Sequence, residues 1–238
     1  MHSQNKTKVF AYIDGFNLYY GIRIFKDAPY LKWRYVKKLM SGFLDRNDFL
    51  EEVKFYTARP EPSMNLTRAG VTERFTSYTA ALKSIGVKVI EGRFISKSIH
   101  IPIDRILHPD LINERITGKR IEYPKYEEKE TDVHLGVDLV SDAYQNLYDK
   151  ALVVSGDSDL KPALLCVLNN LSEKHIKVIA PPGQHVHDIK DNLAPRYPQL
   201  SIGKINRARL ASACLPDEIQ TADGATIKIP ADYQNGVK

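Results

Sequence analysis

Cysteine is almost missing from this chain: Cys166 and Cys214 are the only two in 238 residues. They lie far apart in apolar surroundings and read as buried free thiols rather than a disulfide, and no zinc-type spacing exists. Long apolar runs are missing as well. None approaches the roughly 20 residues of a membrane span, and Met1-His2-Ser3-Gln4-Asn5-Lys6 lacks the apolar core of a signal peptide. A soluble, cytoplasmic protein without membrane contact is the expectation. Glycine is sparse where a dinucleotide would need it, since Gly15 and Gly21 do not make the glycine fingerprint, which argues against a dehydrogenase. Internal repeats and low-complexity tracts are absent too.

What is present can bury a full core, with 43% hydrophobic and 26% charged residues. Strands are expected at 8–13, 52–57, 86–91, 151–155 and 175–180, and helices near 17–25, 32–44, 67–84, 132–147, 159–170 and 185–192. Thr72, Phe75, Thr79, Leu82 and Ile85 are spaced like the inner face of one helix, and Val133, Val137, Val140, Tyr144 and Leu147 like that of another. This alternation predicts an α/β protein with a Rossmann-like parallel sheet flanked by helices. From 93 to 130 the pattern breaks into basic, histidine and aromatic residues punctuated by Pro102, Pro109 and Pro124, which predicts a long excursion or hairpin near the site. Asp223-Gly224 signals a turn in a small C-terminal arm. The expected division is one domain over 1–205, with the excursion at 93–130, and an arm or tail over 206–238.

Two acidic clusters carry the chemistry. Val153-Val154-Ser155-Gly156-Asp157-Ser158-Asp159 and Phe10-Ala11-Tyr12-Ile13-Asp14-Gly15-Phe16-Asn17 each run from a buried-strand pattern into a turn that opens a helix. Both place aspartates at the carboxyl end of a strand, where open α/β sheets bind ligands. Asp132, after Thr131 at the start of a helix, can join them from the same edge, because a crossover helix begins there. Asp138 lies about 9 Å farther along that helix and on another face, so it ranks lower. Carboxylates gathered at one edge repel unless a cation or protons compensate, which is the physical case for a metal. The competing roles are ordinary: Asp157 or Asp159 as a helix cap, Asp132 as a partner of the helix dipole, and Asp14 with Asn17 as an Asx turn.

The charge of +5 and pI of 9.0 are compatible with nucleic acid without demanding it. Lys32, Arg34, Arg93, Lys97, Arg105, Lys119 and Arg120 lie among aromatics and could form a phosphate-tracking rim, the alternative being solvated surface charge. A metal-free histidine nuclease is disfavoured, because His100, His108, His134, His175, His185 and His187 all lie outside the strand-end pattern.

Taken in order, Tyr12-Ile13-Asp14-Gly15-Phe16-Asn17-Leu18, Lys129-Glu130-Thr131-Asp132-Val133 through Asp138, and Leu152 through Pro162 with Ser155-Gly156-Asp157-Ser158-Asp159 resemble the NYN domain of the PIN-like nucleases over about residues 7–205. The resemblance implies a PIN-type sheet and an acidic site for Mg2+ or Mn2+. Asp14, Asp132, Asp157 and Asp159 would be the metal carboxylates, with Asn17 and Ser155 assisting. Glu130-Thr131 depart from the family pattern, which often has Gly-Val there, and Leu160 replaces a common Phe. The implied reaction is phosphodiester hydrolysis in RNA by water that the cation activates, with Lys129 near the scissile phosphate. A homodimer is compatible with this reading. The alternative is a non-catalytic RNA-binding or scaffolding module on the same fold. A phosphotransferase with Asp14 as nucleophile would want a second Asp where Phe16 stands.

Overall fold

The computed structural model describes residues 6–66, 69–102 and 120–234. At its centre lies β1 (Thr7–Asp14), whose last six residues are all buried. It pairs in parallel with β2 (Asp48–Ala58) on one side and β5 (Lys150–Val154) on the other. Outward from these lie β3 (Lys88–Pro102) beyond β2, and β6 (His175–Ala180) then β7 (Leu200–Lys204) beyond β5, all parallel. One further strand, β4 (Arg120–Lys129), pairs antiparallel with β3, giving the order β4-β3-β2-β1-β5-β6-β7. The chain therefore builds outward from β1 in one direction and restarts on its other flank at β5. The carboxyl ends of β1 and β5 border that topological switch point, the crevice where open α/β sheets take ligands.

The alternation of side chains along β1 makes two cores from one strand. Val9, Ala11 and Ile13 face α1 (Gly15–Ile22), α2 (Val36–Ser41) and α3 (Val71–Ser84) through Leu18, Ile22, Leu39, Met40 and Leu82. Phe10 and Tyr12 face α4 (Thr131–Tyr144) and α5 (Lys161–Asn170) through Leu135, Leu139, Leu164 and Val167. The α3 face expected from the sequence holds where it is deepest, with Thr79 and Leu82 buried. The α4 face does not. Val133 and Val137 are 64% and 60% exposed, and Tyr144 and Leu147 are exposed too, while Leu135, Leu139, Asp142 and Ala143 point inward. The phase is shifted because the sheet offers Tyr12 and Lys54 to the helix, so acidic residues rather than valines complete its inner stripe.

The excursion is a hairpin. From Arg93↔Lys129 to Pro102↔Arg120, β3 and β4 pair without interruption, and residues 103–119, with Arg105 and Lys119, lie outside the described residues. After α6 (Arg207–Ala211) the C-terminal arm returns across the first helical layer, and β8 (Glu218–Gln220) and β9 (Thr226–Lys228) form the small hairpin around Asp223-Gly224. Leu215, Ile219, Ile229 and Tyr233 bury themselves with Trp33 and Ala81 of α3 in a third apolar cluster. The arm is also tied by the Trp33 indole N–H donating to the Pro216 carbonyl at 2.8 Å.

Between β4 and α4, Glu130 adopts a left-handed backbone with φ of 81°, at the position where the family pattern often has glycine. A side chain there costs about 1–2 kcal/mol relative to a permissive residue. Its ion pair with Arg93, at 2.7 Å, joins side chains that are 67% and 42% exposed and stabilises little. Glu130→Gly is therefore expected to raise the melting temperature by about 2–8 °C, read by differential scanning calorimetry. An unchanged or lowered midpoint would show that the turn is not under strain.

Candidate functional site

Asp14 ends β1, is 3% exposed and caps α1, its Oδ1 accepting the Asn17 backbone N–H at 2.9 Å. Its Oδ2 accepts the Asn17 side-chain amide and, at 3.1 Å, the Ser155 hydroxyl. Asn17 also spans the switch point, because its Oδ1 accepts the Gly156 N–H at 3.2 Å. Sequence reasoning missed a partner here: Gln184 donates from Nε2 to the Asn17 carbonyl at 3.1 Å. Both turns are crowded where glycine stands, Gly15 against β2 and Gly156 against Gln184. A Cβ at Gly15 would lie 2.6 Å from the Tyr56 carbonyl oxygen, and one at Gly156 would collide with the Gln184 amide.

The Ser155 hydroxyl accepts the Asp157 N–H at 3.0 Å, and Asp157 Oδ1 accepts the Asp159 N–H at 2.9 Å. Asp157 thus plays the cap expected as its ordinary role. Asp132 enters from the first turn of α4. Its carboxyl is pushed up to about 6, first by burial and then by the charges of Asp14, Glu128, Asp157 and Asp159. Asp132 therefore lies within electrostatic reach of Asp14, Asp157 and Asp159, the other three aspartates singled out in the sequence. Burial raises Asp14 as well, against the lowering pull of the Asn17 and Ser155 bonds, and Glu128 adds to the rise.

Glu128 is the member that the sequence concealed. It lies at the end of β4 and accepts the Thr131 N–H at 3.2 Å together with the Thr131 hydroxyl. Strand alternation was the available signal: pairing puts Phe94 opposite Glu128 and Ser96 opposite Tyr126 on one face of the hairpin, with Arg93, Lys97, Lys125, Glu127 and Lys129 on the other.

Other expectations fall elsewhere. Asp138 accepts the Tyr56 hydroxyl at 2.8 Å and Lys54 Nζ at 3.2 Å, in a network under α4, so it leaves the site. Lys129 and Lys97 each sit 3.2 Å from Glu127, and Lys125 sits 2.9 Å away; the three hold the Glu127 carboxyl down to about 2. Lys129 is thereby an exposed hairpin lysine rather than a neighbour of the acidic cluster. Arg34 is fully buried, with its guanidinium donating to the Tyr30 and Leu210 carbonyls, so it anchors the chain before α2 to α6 and cannot track a phosphate. Arg93 faces solvent beside Glu130, and Lys32 lies half-buried against Tyr19 and Tyr233. Arg120 opens β4. Cys166 and Cys214 are free but half-buried, not buried.

The chemistry of the donor set fits a hard divalent cation. Every group is an oxygen donor or an amide; after burial, Asp14 is governed by its Asn17 and Ser155 hydrogen bonds and Asp132 by the neighbouring carboxylates. Among the described residues, no three His, Cys, Asp or Glu side chains form a ready-made cage. No helix among them is long and apolar enough to cross a membrane.

An α/β sheet that gathers aspartates at its switch point defines the PIN-like class. The family model described as "NYN domain" matches residues 8–192, and the chain belongs to the NYN domain family. It is also 26% identical over 222 residues, 86% of this chain and 69% of the other, to 6-hydroxy-3-succinoylpyridine 3-monooxygenase HspA of Pseudomonas putida. In fold it is similar to a protein of unknown function from Vibrio parahaemolyticus, with a TM-score of 0.50 and 16% identity over 90% of this chain and 100% of that one.

Proposed function

We propose that this protein is a metal-dependent ribonuclease, with Asp14, Asp132, Asp157 and Asp159 holding Mg2+ or Mn2+. The observation that carries the reading is the gathering of carboxylates at the switch point, where burial first and then the charges of Asp14, Glu128, Asp157 and Asp159 push the Asp132 carboxyl up to about 6. When bound, the cation activates water for in-line attack on phosphorus and offsets the charge gathering on the phosphate oxygens. Asn17 and Ser155 hold the Asp14 carboxylate with both oxygens engaged, so that its orientation is set before metal or substrate arrives. Asp157 is held likewise by its own turn. The domain runs over 1–205 on this reading, and the arm is an attached element. The test is cleavage of end-labelled single- and double-stranded RNA and DNA with Mn2+, Mg2+ or EDTA. Cutting of RNA that EDTA abolishes supports the reading; RNA binding without cutting in any metal favours a binding or scaffolding module.

A second reading is favoured by the relative named as a monooxygenase of a succinoylpyridine. This chain would then oxygenate a small aromatic acid, consuming O2 and an external reductant. Oxygen uptake on adding a pyridine carboxylate with a reduced nicotinamide would support it.

The titration of Asp132 has a stability consequence. Between its ordinary 3.8 and about 6, the folded chain keeps a proton that the unfolded chain releases. Metal-free stability attributable to this group therefore falls as pH rises through that window, and a bound divalent ion reverses the trend because it favours the carboxylate. Melting curves of the metal-free protein and of Asp132→Asn across the window are expected to converge at low pH and diverge as pH rises, with the variant more stable. Added Mn2+ should stabilise the wild type more. Parallel curves would remove the repulsion from the site.

A further inference from the structure

A cavity of about 420 Å³ opens beside the acidic cluster, between α1, α3, the β3–β4 hairpin and the C-terminal arm. Its volume is in the range of sites that enclose a small organic ligand. The wall begins at Gly15 and Phe16, directly after Asp14, and its Phe94 is the strand partner of Glu128, so the cavity lies next to the acidic cluster without being lined by its carboxylates. Aromatic rings dominate it. Phe16 meets Phe94 of the hairpin edge-on at 5.7 Å and stacks with Tyr20 at 6.4 Å, while Tyr126 and Tyr233 add rings from β4 and the arm. Tyr233 lies beyond the residues that the family model matches.

Three cations share this wall: Lys32, Arg74 and Lys125. Arg74 is paired with Asp232, and Lys125 with Glu127 at 2.9 Å. Lys32 makes no ion pair with a carboxylate within 4.0 Å among the described residues, and its Nζ sits over the Tyr233 ring at 5.4 Å and the Tyr19 ring at 6.0 Å. Burial, Arg23 and Arg74 lower its pKa and outweigh the opposing pull of Asp232, as expected of a partly desolvated cation among other cations. An aromatic cleft with a cation that has no direct ion-pair partner among the described residues takes a flat ring attached to an anion.

We propose that the cavity receives one unstacked base of a single-stranded RNA whose neighbouring phosphate reaches the acidic cluster. The inference rests on the nuclease reading and extends it to a substrate class. A base held in a duplex cannot enter a walled cavity without leaving its stack, whereas a base in a single strand inserts at low cost and stacks on protein rings whatever its identity. The cavity therefore makes strand state, rather than base sequence, the main selector. Lys32 faces the anionic backbone of the inserted nucleotide.

The experiment is fluorescence anisotropy of a short, fluorescein-labelled mixed-sequence RNA in EDTA, where cleavage does not interfere, with cleavage in Mn2+ measured separately. Phe94→Ala, Tyr126→Ala and Lys32→Gln are compared with wild type. Phe94 and Tyr126 belong to none of the three apolar clusters, so their truncation leaves the core intact. Single-stranded RNA is expected to bind about ten-fold or more tighter than the same sequence as a duplex, and each ring truncation to weaken single-strand binding by about five-fold or more. Equal affinity for both forms, or folded variants that bind as wild type does, would overturn the proposal. So would displacement of the RNA by none of the nucleoside 5′-monophosphates together with saturable binding of pyridine-3-carboxylate, which would assign the cavity to a small aromatic acid. Ring-dependent binding without cleavage in any metal defeats the nuclease reading alone; cleavage with ring-independent binding defeats this one alone.

Discussion

Replacing Asp157 with Asn is expected to lower Mn2+-dependent RNA cleavage by about 100-fold or more while leaving RNA binding and the fold in place. Loss of a group that only orients a metal ligand typically costs 10–100-fold, and a direct donor costs at least as much. The substitution isolates charge from structure. Asn keeps the side-chain oxygen that accepts the Asp159 N–H, so the turn into α5 retains its cap, and the Ser155 bond to the Asp157 N–H uses backbone alone. The site loses one of the negative charges that raise Asp132. Two readouts therefore move in a coupled way: the Mn2+ requirement shifts to higher concentration, and the Asp132 carboxyl relaxes toward its ordinary value. Undiminished cleavage by the variant would remove Asp157 from the chemistry. Cleavage lost along with the melting transition would mean that the residue is structural.

The acidic site was legible because its members obey local rules. A buried apolar run that ends in Asp and Gly reads as a strand end, and Asp14 closes one such run while Asp157 and Asp159 lie in the turn after another. Asp132 was legible for the same reason at one remove, since a helix that crosses back over the sheet starts at the strands' carboxyl edge. Glu128 was not, because alternation separates it from Glu127 but does not say which of the two turns toward the site, which depends on how β4 pairs with β3. Arg34 failed for the opposite reason. A cation among aromatics looks like a nucleic-acid contact, yet the carbonyls that bury it come from Tyr30 and from Leu210, far along the chain.

Fold errors follow the same division between local and distant causes. Residues 200–204 went unread as a strand since Leu200-Ser201-Ile202-Gly203-Lys204 is short and interrupted by glycine, and its edge position is set by β6. The helix expected at 185–192 runs over 187–193, with Ile189–Leu193 wound as a π-helix. The aromatic cavity was invisible in the sequence, because Phe16, Phe75, Phe94 and Tyr233 meet only through the fold.

Replacing Lys54 with Met is expected to destabilise the protein by about 3–5 kcal/mol, the usual cost of leaving a buried carboxylate without its partner. Lys54 is 4% exposed in the middle of β2, and its Nζ lies 2.6 Å from Asp142 and 3.2 Å from Asp138, both on α4. The same two carboxylates accept the Tyr12 hydroxyl at 2.7 Å and the Tyr56 hydroxyl at 2.8 Å. Burial alone would lower the lysine, but Asp142 and Asp138 outweigh it and raise its pKa, so the ammonium stays charged. Burial and the Asp142 contact raise Tyr12, and burial and Asp138 raise Tyr56, so both phenols remain hydrogen-bond donors. This network sets the rotation of α4, which in turn delivers Asp132 to the switch point, so its loss reaches function as well as stability. At about 2–4 °C per kcal/mol for a chain of this size, Lys54→Met should lower the melting temperature by about 6–20 °C. Lys54→Met combined with Asp142→Asn should recover part of that loss by removing the stranded charge, although the neutral amide leaves hydrogen bonds unmet. Additive losses in the double variant would mean that the two residues act independently, and that packing by Leu135 and Leu139 alone orients the helix.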